Sequence, residues 1–238
     1  MSALTFDPFH EFQQYLAGIS FTKLLSNPAY AAISKKLHSR VLALLIVEHQ
    51  LDSYLQKDSN ELVIASRAYL NEFRSDMLSS LLIFHMGLYK ATVMSSRSGI
   101  ENFFRVMAGL QQADFRSCKS VFELIDMVKQ SPLRKMSSTF EQSLNVLLEK
   151  YSEYCNYVHS TGEDYLSLDR KLSDMPRWQE QTGRACADSL VKMTQAAVTV
   201  LLLLRPDTLR SFHPDQRDFI LDALPKGIKS GLAKDLPT

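Results

Sequence analysis

Turn-forming residues are scarce in this chain of 238 residues: there are only 8 glycines and 8 prolines. That leaves little material for the many tight turns of a multi-stranded β fold. Cysteine is scarcer still. Cys118, Cys155 and Cys186 stand more than 30 residues apart, with no CxxC pair and no Cys/His ligand spacing. A disulfide framework and a structural zinc are thereby excluded as expectations, and a reduced, cytoplasmic setting follows. Charge of one sign is also lacking: 27 Lys and Arg face 26 Asp and Glu, for a net charge of +1. No global field draws the chain to nucleic acid or to a membrane, so any polyanion contact must come from a local patch. The most apolar run, Ala196 to Leu204, is nine residues long. A membrane span needs about 20, so the run reads as a core helix and no membrane partner is expected. Met1 to His10 shows no basic region leading into an apolar stretch, unlike a secretory signal.

What is present is helical periodicity. Asn27-Pro28 reads as a cap and a first-turn proline. After it Ile33, Leu37, Val41, Leu44, Leu45, Leu51 and Leu55 recur at helical spacing. The polar stretch Lys57 to Asn60 marks a seam, which divides the chain into an N-terminal helical extension (1–60), a helical bundle (61–205) and a short C-terminal helix with a tail (206–238). Between 61 and 110 the apolar pattern stays helical, and Gly87 is the expected break. Ser120 with Glu123, and Ser138 with Glu141, have capping-box spacing. The second pair opens a helix to His159 whose core face is Phe140, Leu144, Leu147, Leu148, Tyr151, Cys155 and Val158. After a polar connection at 160–175, Pro176 reads as the first turn of a helix ending before Pro206. Pro214 opens a last short helix, and the tail from Pro225 reads as frayed. No segment has strand periodicity. The fold class is all-α.

The chemistry begins with what is missing: no P-loop, no GxGxxG after a strand, no GxSxG and no HExxH occurs. His213, Asp215 and Asp218 read as an acidic first turn favoured by the helix dipole, not as a metal site. Paired Glu-x-x-His ligands for a di-metal bundle are lacking, so neither metal nor cofactor is expected.

Two constellations remain. Arg97, Glu101 and Arg105 form an i, i+4, i+8 row that drifts only about 80° around a helix. As a salt-bridge ladder it contributes about 0.2–0.5 kcal/mol per pair. As a functional row, it lets Arg97 and Glu101 flank a groove facing a second helix. The other is Tyr151 to Ser160, where His159 ends a helix at the margin of its apolar face. There it is either a cation favoured by the helix C-terminus or a general acid/base.

Taken together, Arg97-Ser98-x-x-Glu101-x-x-x-Arg105 followed by Tyr151-x-x-Tyr154-x-x-Tyr157-Val158-His159-Ser160 resembles the HEPN superfamily, over about residues 61–205. These are helical domains of prokaryotic toxin–antitoxin and antiviral defence systems. The resemblance implies an up-and-down bundle that dimerises and cuts RNA without metal in a shared cleft. It makes His159, Arg97 and Glu101 the catalytic candidates, with Arg105, Lys150 and Tyr154 as RNA contacts. Homo-oligomers, RNA or a partner protein of a defence complex are the implied partners. A local basic surface at Lys35, Lys36, His38 and Arg40 adds to the case for RNA. The family's motif has an Arg four to six residues before the His; here that Arg would fall at Ser152, Glu153 or Tyr154. Two readings stay open: an endoribonuclease in which Arg97 substitutes, and a non-catalytic sensor, neutralising partner or dimerising scaffold.

Overall fold

The computed structural model describes residues 20–159 and 176–235, together with Gly18 and Gly162. Among these residues no strand forms, and the all-α expectation is met. The helices are α1 (Thr22–Leu25), α2 (Pro28–Leu55), α3 (Glu61–His85), α4 (Tyr89–Leu110), α5 (Val121–Lys129), α6 (Leu133–Met136), α7 (Ser138–His159), α8 (Glu180–Leu204), α9 (Pro206–Ser211), α10 (Pro214–Asp222) and α11 (Lys226–Asp235).

Local chemistry sets most of these boundaries. The Asn27 side chain accepts hydrogen bonds from the Ala29 and Tyr30 backbone N–H groups, and Pro28 fills the first turn. Asn60 does the same for Leu62 and Val63 at the start of α3. Gly87, at φ +77°, separates α3 from α4, in a left-handed conformation that a side chain strains. At α5 the Glu123 N–H donates to Ser120 Oγ at 3.3 Å, while the Lys119 N–H donates to Glu123 Oε2 at 2.7 Å.

Two starts differ from expectation. Ser137, not Ser138, caps α7: its Oγ accepts from the Phe140 N–H at 2.9 Å, and Glu141 pairs with Arg134 instead. Pro176 lies four residues before α8, because tertiary packing holds 177–179 out of the helix. The Trp178 ring lies so close to Gly183 that a Cβ there would be 2.2 Å from it. The Gln179 N–H donates to Tyr89 Oη at 3.2 Å. The connection at 160–175 lies outside the described residues, Gly162 excepted, as does most of the chain before Ser20.

Side-chain pairings give the helix directions. Asp52–Arg67 and Glu48–Arg74 make α2 and α3 antiparallel. Ser66 against Gly109, and Ser80 against Ser96, do the same for α3 and α4. Glu101–Tyr151 and Arg97–Cys155 set α7 antiparallel to α4. The most apolar helix, α8, is long and apolar enough to cross a membrane, and 78% of its most apolar stretch is buried inside the fold. It is the core helix that its composition indicated.

The segment expected to be an extension belongs to that same core. Leu37, Val41, Leu44, Val47, Leu51 and Leu55 of α2 are all buried, in one cluster with α3, α4, α7 and α8. At about 1.5–3 kcal/mol per buried aliphatic side chain, α2 contributes on the order of the whole net stability of a domain. The turn at residue 60 is therefore a loop within one core, and the apolar face of α2 is spent on its own bundle. Nor is the stretch after Pro225 frayed. It forms α11, whose Leu232 is buried and whose Asp235 accepts from the Ser137 hydroxyl.

One ionisable group is sealed in this core. Glu48 on α2 is 0% exposed, neither carboxyl oxygen accepts a hydrogen bond, and Arg74 Nε stands 3.6 Å away. Burial pushes the Glu48 carboxyl up to about 8, outweighing the attraction of Arg74. The folded state then holds this proton more tightly than the unfolded chain. The resulting stability is fully present below the ordinary carboxyl range and is lost as pH rises through about 8. Glu48→Gln is expected to gain stability relative to wild type as pH rises from 5.5 toward 8.5, with urea midpoints as the measure; a constant difference refutes the assignment.

The α3–α4 contact offers a steric test. A Cβ on Gly109 would stand 2.4 Å from Ser66 Cβ and 2.9 Å from the Leu62 carbonyl oxygen, whereas one on Gly227 meets nothing within 4 Å. Gly109→Ala is expected to cost about 1–3 kcal/mol in urea denaturation, and Gly227→Ala to cost nothing.

Candidate active site

The buried face of α4 includes Ile100, Phe103, Phe104 and Met107, and Arg97 and Glu101 lie at its margin facing α7. Tyr151 and Cys155 meet them there. Arg97 Nη2 donates to Tyr151 Oη at 3.0 Å, and Nε donates to Cys155 Sγ at 3.2 Å. The same Nη2 is 2.8 Å from Glu101 Oε1, and the Tyr151 hydroxyl donates to that oxygen at 3.0 Å. The guanidinium carbon also lies 5.1 Å from the centre of the Tyr151 ring. Three side chains thus close a hydrogen-bonded triangle, and Cys155 is attached to one corner. With side-chain exposures of 25% for Arg97 and 19% for Glu101, this pair is less screened than a surface ladder.

Burial and the Glu101 carboxylate hold the Tyr151 phenol protonated far above its ordinary range. Tyr151 therefore acts as a donor and not as a base. It orients Glu101, and Glu101 fixes and neutralises Arg97. A second layer lies behind α4, where Asn102 Nδ2 donates to Asp76 Oδ2 at 3.0 Å. Burial raises the Asp76 carboxyl, against the hydrogen bonds from Ser98 and Asn102.

His159 is the last residue of α7 and is exposed. It makes no hydrogen bond or ion pair with another described residue. Cys155 precedes it by one helical turn, about 6 Å along the axis. Arg97 and Glu101 are thus joined to the helix that ends in His159, while the imidazole itself stays outside their hydrogen-bonded triangle.

The three residues expected to contact RNA fare differently. Arg105 is half-buried on α4, donates to the Glu101 carbonyl oxygen at 3.2 Å and stacks over Tyr69, 5.3 Å from the ring centre. Lys150 is buried, with its ammonium on Glu153 and near Glu149. Tyr154 is 0% exposed, its hydroxyl 2.9 Å from Ser189 Oγ on α8. Neither Lys150 nor Tyr154 presents a surface to a polyanion. Tyr154 follows Leu147 and Tyr151 at i+7 and i+3, which keeps it on the packed face. In the basic group on α2, Lys36 is paired with Asp188 at 2.8 Å, Arg40 donates to Ser39 Oγ at 2.7 Å, and Lys35 and His38 are exposed.

Helical periodicity places Tyr151 and Cys155 on the core face of α7, and neither is among the candidate site residues read from the sequence. Their polar role was readable only once Arg97 was known to lie opposite. Among the described residues no group of three or more His, Cys, Asp and Glu is placed to hold a metal ion. His213 and Asp215 lie 3.6 Å apart and are both largely exposed.

Compared with protein families, curated proteins and solved structures, the chain matches none of them.

The triangle has a direct test in stability. Tyr151→Phe removes both the donor to Glu101 and the acceptor for Arg97 while keeping the ring. The expected loss is about 1–2 kcal/mol. A urea midpoint equal to wild type contradicts the bridging role of the hydroxyl.

Proposed function

We propose that this chain is a HEPN-like helical protein of bacterial defence or toxin type, cytoplasmic and homo-oligomeric, that acts on RNA as a metal-independent endoribonuclease. His159 is the general acid/base. It takes the proton of a ribose 2′-hydroxyl, the 2′-oxygen bonds to the adjacent phosphorus, and the 5′-oxygen of the next nucleotide leaves with a proton. Arg97 stabilises the charge that gathers on the phosphorane oxygens, and Glu101 positions Arg97. No metal ion enters this scheme.

The supporting observation is the pair of hydrogen bonds from Arg97 to Tyr151 and Cys155. They fasten a guanidinium to the helix that ends in an exposed imidazole, although Ser152, Glu153 and Tyr154 leave the family's usual Arg position without a base. Arg105 is the remaining candidate RNA contact on the exposed side of α4.

A second reading, a non-catalytic sensor, neutralising partner or scaffold in a defence complex, is favoured by one specific feature. The Glu101 carboxylate, 2.8 Å from Arg97, already neutralises the cation that the reaction needs.

Labelled transfer RNA incubated with the purified protein in EDTA separates the two. The nuclease reading expects cleavage that falls by about 10²-fold or more in His159→Ala, with RNA affinity that declines as salt rises. Intact RNA with wild type and variant alike leaves the non-catalytic reading in place.

A further inference from the structure

On the far side of α7 from Arg97, the C-terminal helix α11 lies across α7 and α8 and roofs a groove between them. The space beneath is a half-open cavity of about 190 Å³. The exposed surface of its walls is almost entirely carbon, supplied by Val146 of α7, Ala196 of α8, Pro225 just before α11 and Ile228 within it. Polar residues also line it: Gln142, exposed at the rim, Ser143, Lys192, Gln195 and Thr199, and two of them matter most. Ser143 is 2% exposed and its hydroxyl has no hydrogen-bond partner. Helix hydroxyls of this kind ordinarily turn back to the carbonyl one turn earlier, as Thr194 and Thr199 do at 2.7 and 2.8 Å. The Ser143 hydroxyl does not. Lys192 stands exposed at the mouth and makes no hydrogen bond or ion pair with another described residue. No acid lines the cavity. The lining Gln195 donates to the Ala223 carbonyl oxygen at 2.6 Å, and nearby Lys229 donates to Asp222 at 2.7 Å.

We infer that this cavity binds a small amphipathic monocarboxylate, a chain or ring of about six carbons bearing one negative charge. The inference is independent of the RNA reading. An apolar space of this volume is matched by a benzene-sized body, since cavities of roughly 150 Å³ take up benzene. Carbon walls exclude a fully hydrated dianion such as phosphate, because its charge would lose water without replacement. A carboxylate at the mouth meets the Lys192 ammonium, and its oxygens can accept from the Ser143 hydroxyl. The tail displaces water from Val146, Ala196, Pro225 and Ile228. Because α11 supplies part of the roof, occupancy also ties the C-terminal helix to α7 and α8.

The test uses the full chain and three six-carbon probes: sodium hexanoate, hexan-1-ol and hexylamine. Hexanoate is expected to raise Tm as its concentration increases and to shift the Ile228 methyl resonances. Hexanol is expected to bind more weakly and hexylamine weakest. Lys192→Gln lies on the surface and is expected to weaken hexanoate by about fivefold while leaving hexanol within about twofold of wild type. Ala196→Met fills the space and is expected to abolish both, with the helical circular dichroism unchanged. Should that variant fail to fold, the Ile228 shifts in wild type carry the localisation alone. The inference is overturned by an absence of hexanoate binding at millimolar concentration, by equal binding of the three probes, or by shifts that miss Ile228 and Val146.

Discussion

Where α3 meets α4, the contact is made by side chains too small to hold two helices apart. Gly109 lies against Ser66, Gly99 against the Asp76 Cβ, and the hydroxyls of Ser80 and Ser96 are 3.0 Å from each other. A seam of this kind admits one register, because a larger group at any of these points strikes backbone or a neighbouring Cβ. The close approach leaves α4 with a wide buried face from Ile100 to Leu110, shared with α7 and α8. Once α4 is fixed on one side, Arg97 and Glu101 point along the edge where α7 arrives, while Arg105 turns back over Tyr69 of α3. The geometry of the polar cluster is thus a consequence of packing several residues away from it.

That cluster is balanced in charge. One guanidinium and one carboxylate share a phenol, and the phenol keeps its proton because burial disfavours its anion and ionisation would place a second negative charge beside Glu101. Such an arrangement is rigid, and rigidity serves both an orienting role in a reaction and a purely architectural one. The distinction lies in whether Arg97 is released from Glu101 by a stronger anion. A phosphate presents two or three oxygens in a geometry that a guanidinium binds in bidentate fashion, so exchange of partners is chemically reasonable at a site still one-quarter open.

Much of the fold is legible in the chain because its signals are local. Asn27 caps, the polar stretch before Glu61 turns, Gly87 breaks, Pro206 ends α8 and Pro214 opens a short helix. The departures share a cause: each depends on a residue far away in sequence. Pro176 stands outside α8 because Trp178 packs on Gly183 and residue 179 bonds Tyr89. Tyr154 is buried because its hydroxyl finds a hydrogen-bond partner in Ser189 on α8. The stretch after Pro225 is ordered because Thr139 and Ser137 lie beneath it. At the site, the row on α4 was visible as an i, i+4 pattern, whereas its partners Tyr151 and Cys155 looked like any apolar stripe. Periodicity reports which face is covered, and it is silent on what covers it.

The place of α2 in the core governs how the molecule can be divided. Removing everything before Glu61 would uncover the apolar flank of α8 and leave Arg74 without the acid it faces. A shortened protein of that kind is a different physical object, with an open hydrophobic trough where α2 had been. Loss of activity in it would speak of collapse, and the same holds for any natural variant that interrupts α2. Separable modules in this chain must be sought elsewhere than at the turn before Glu61.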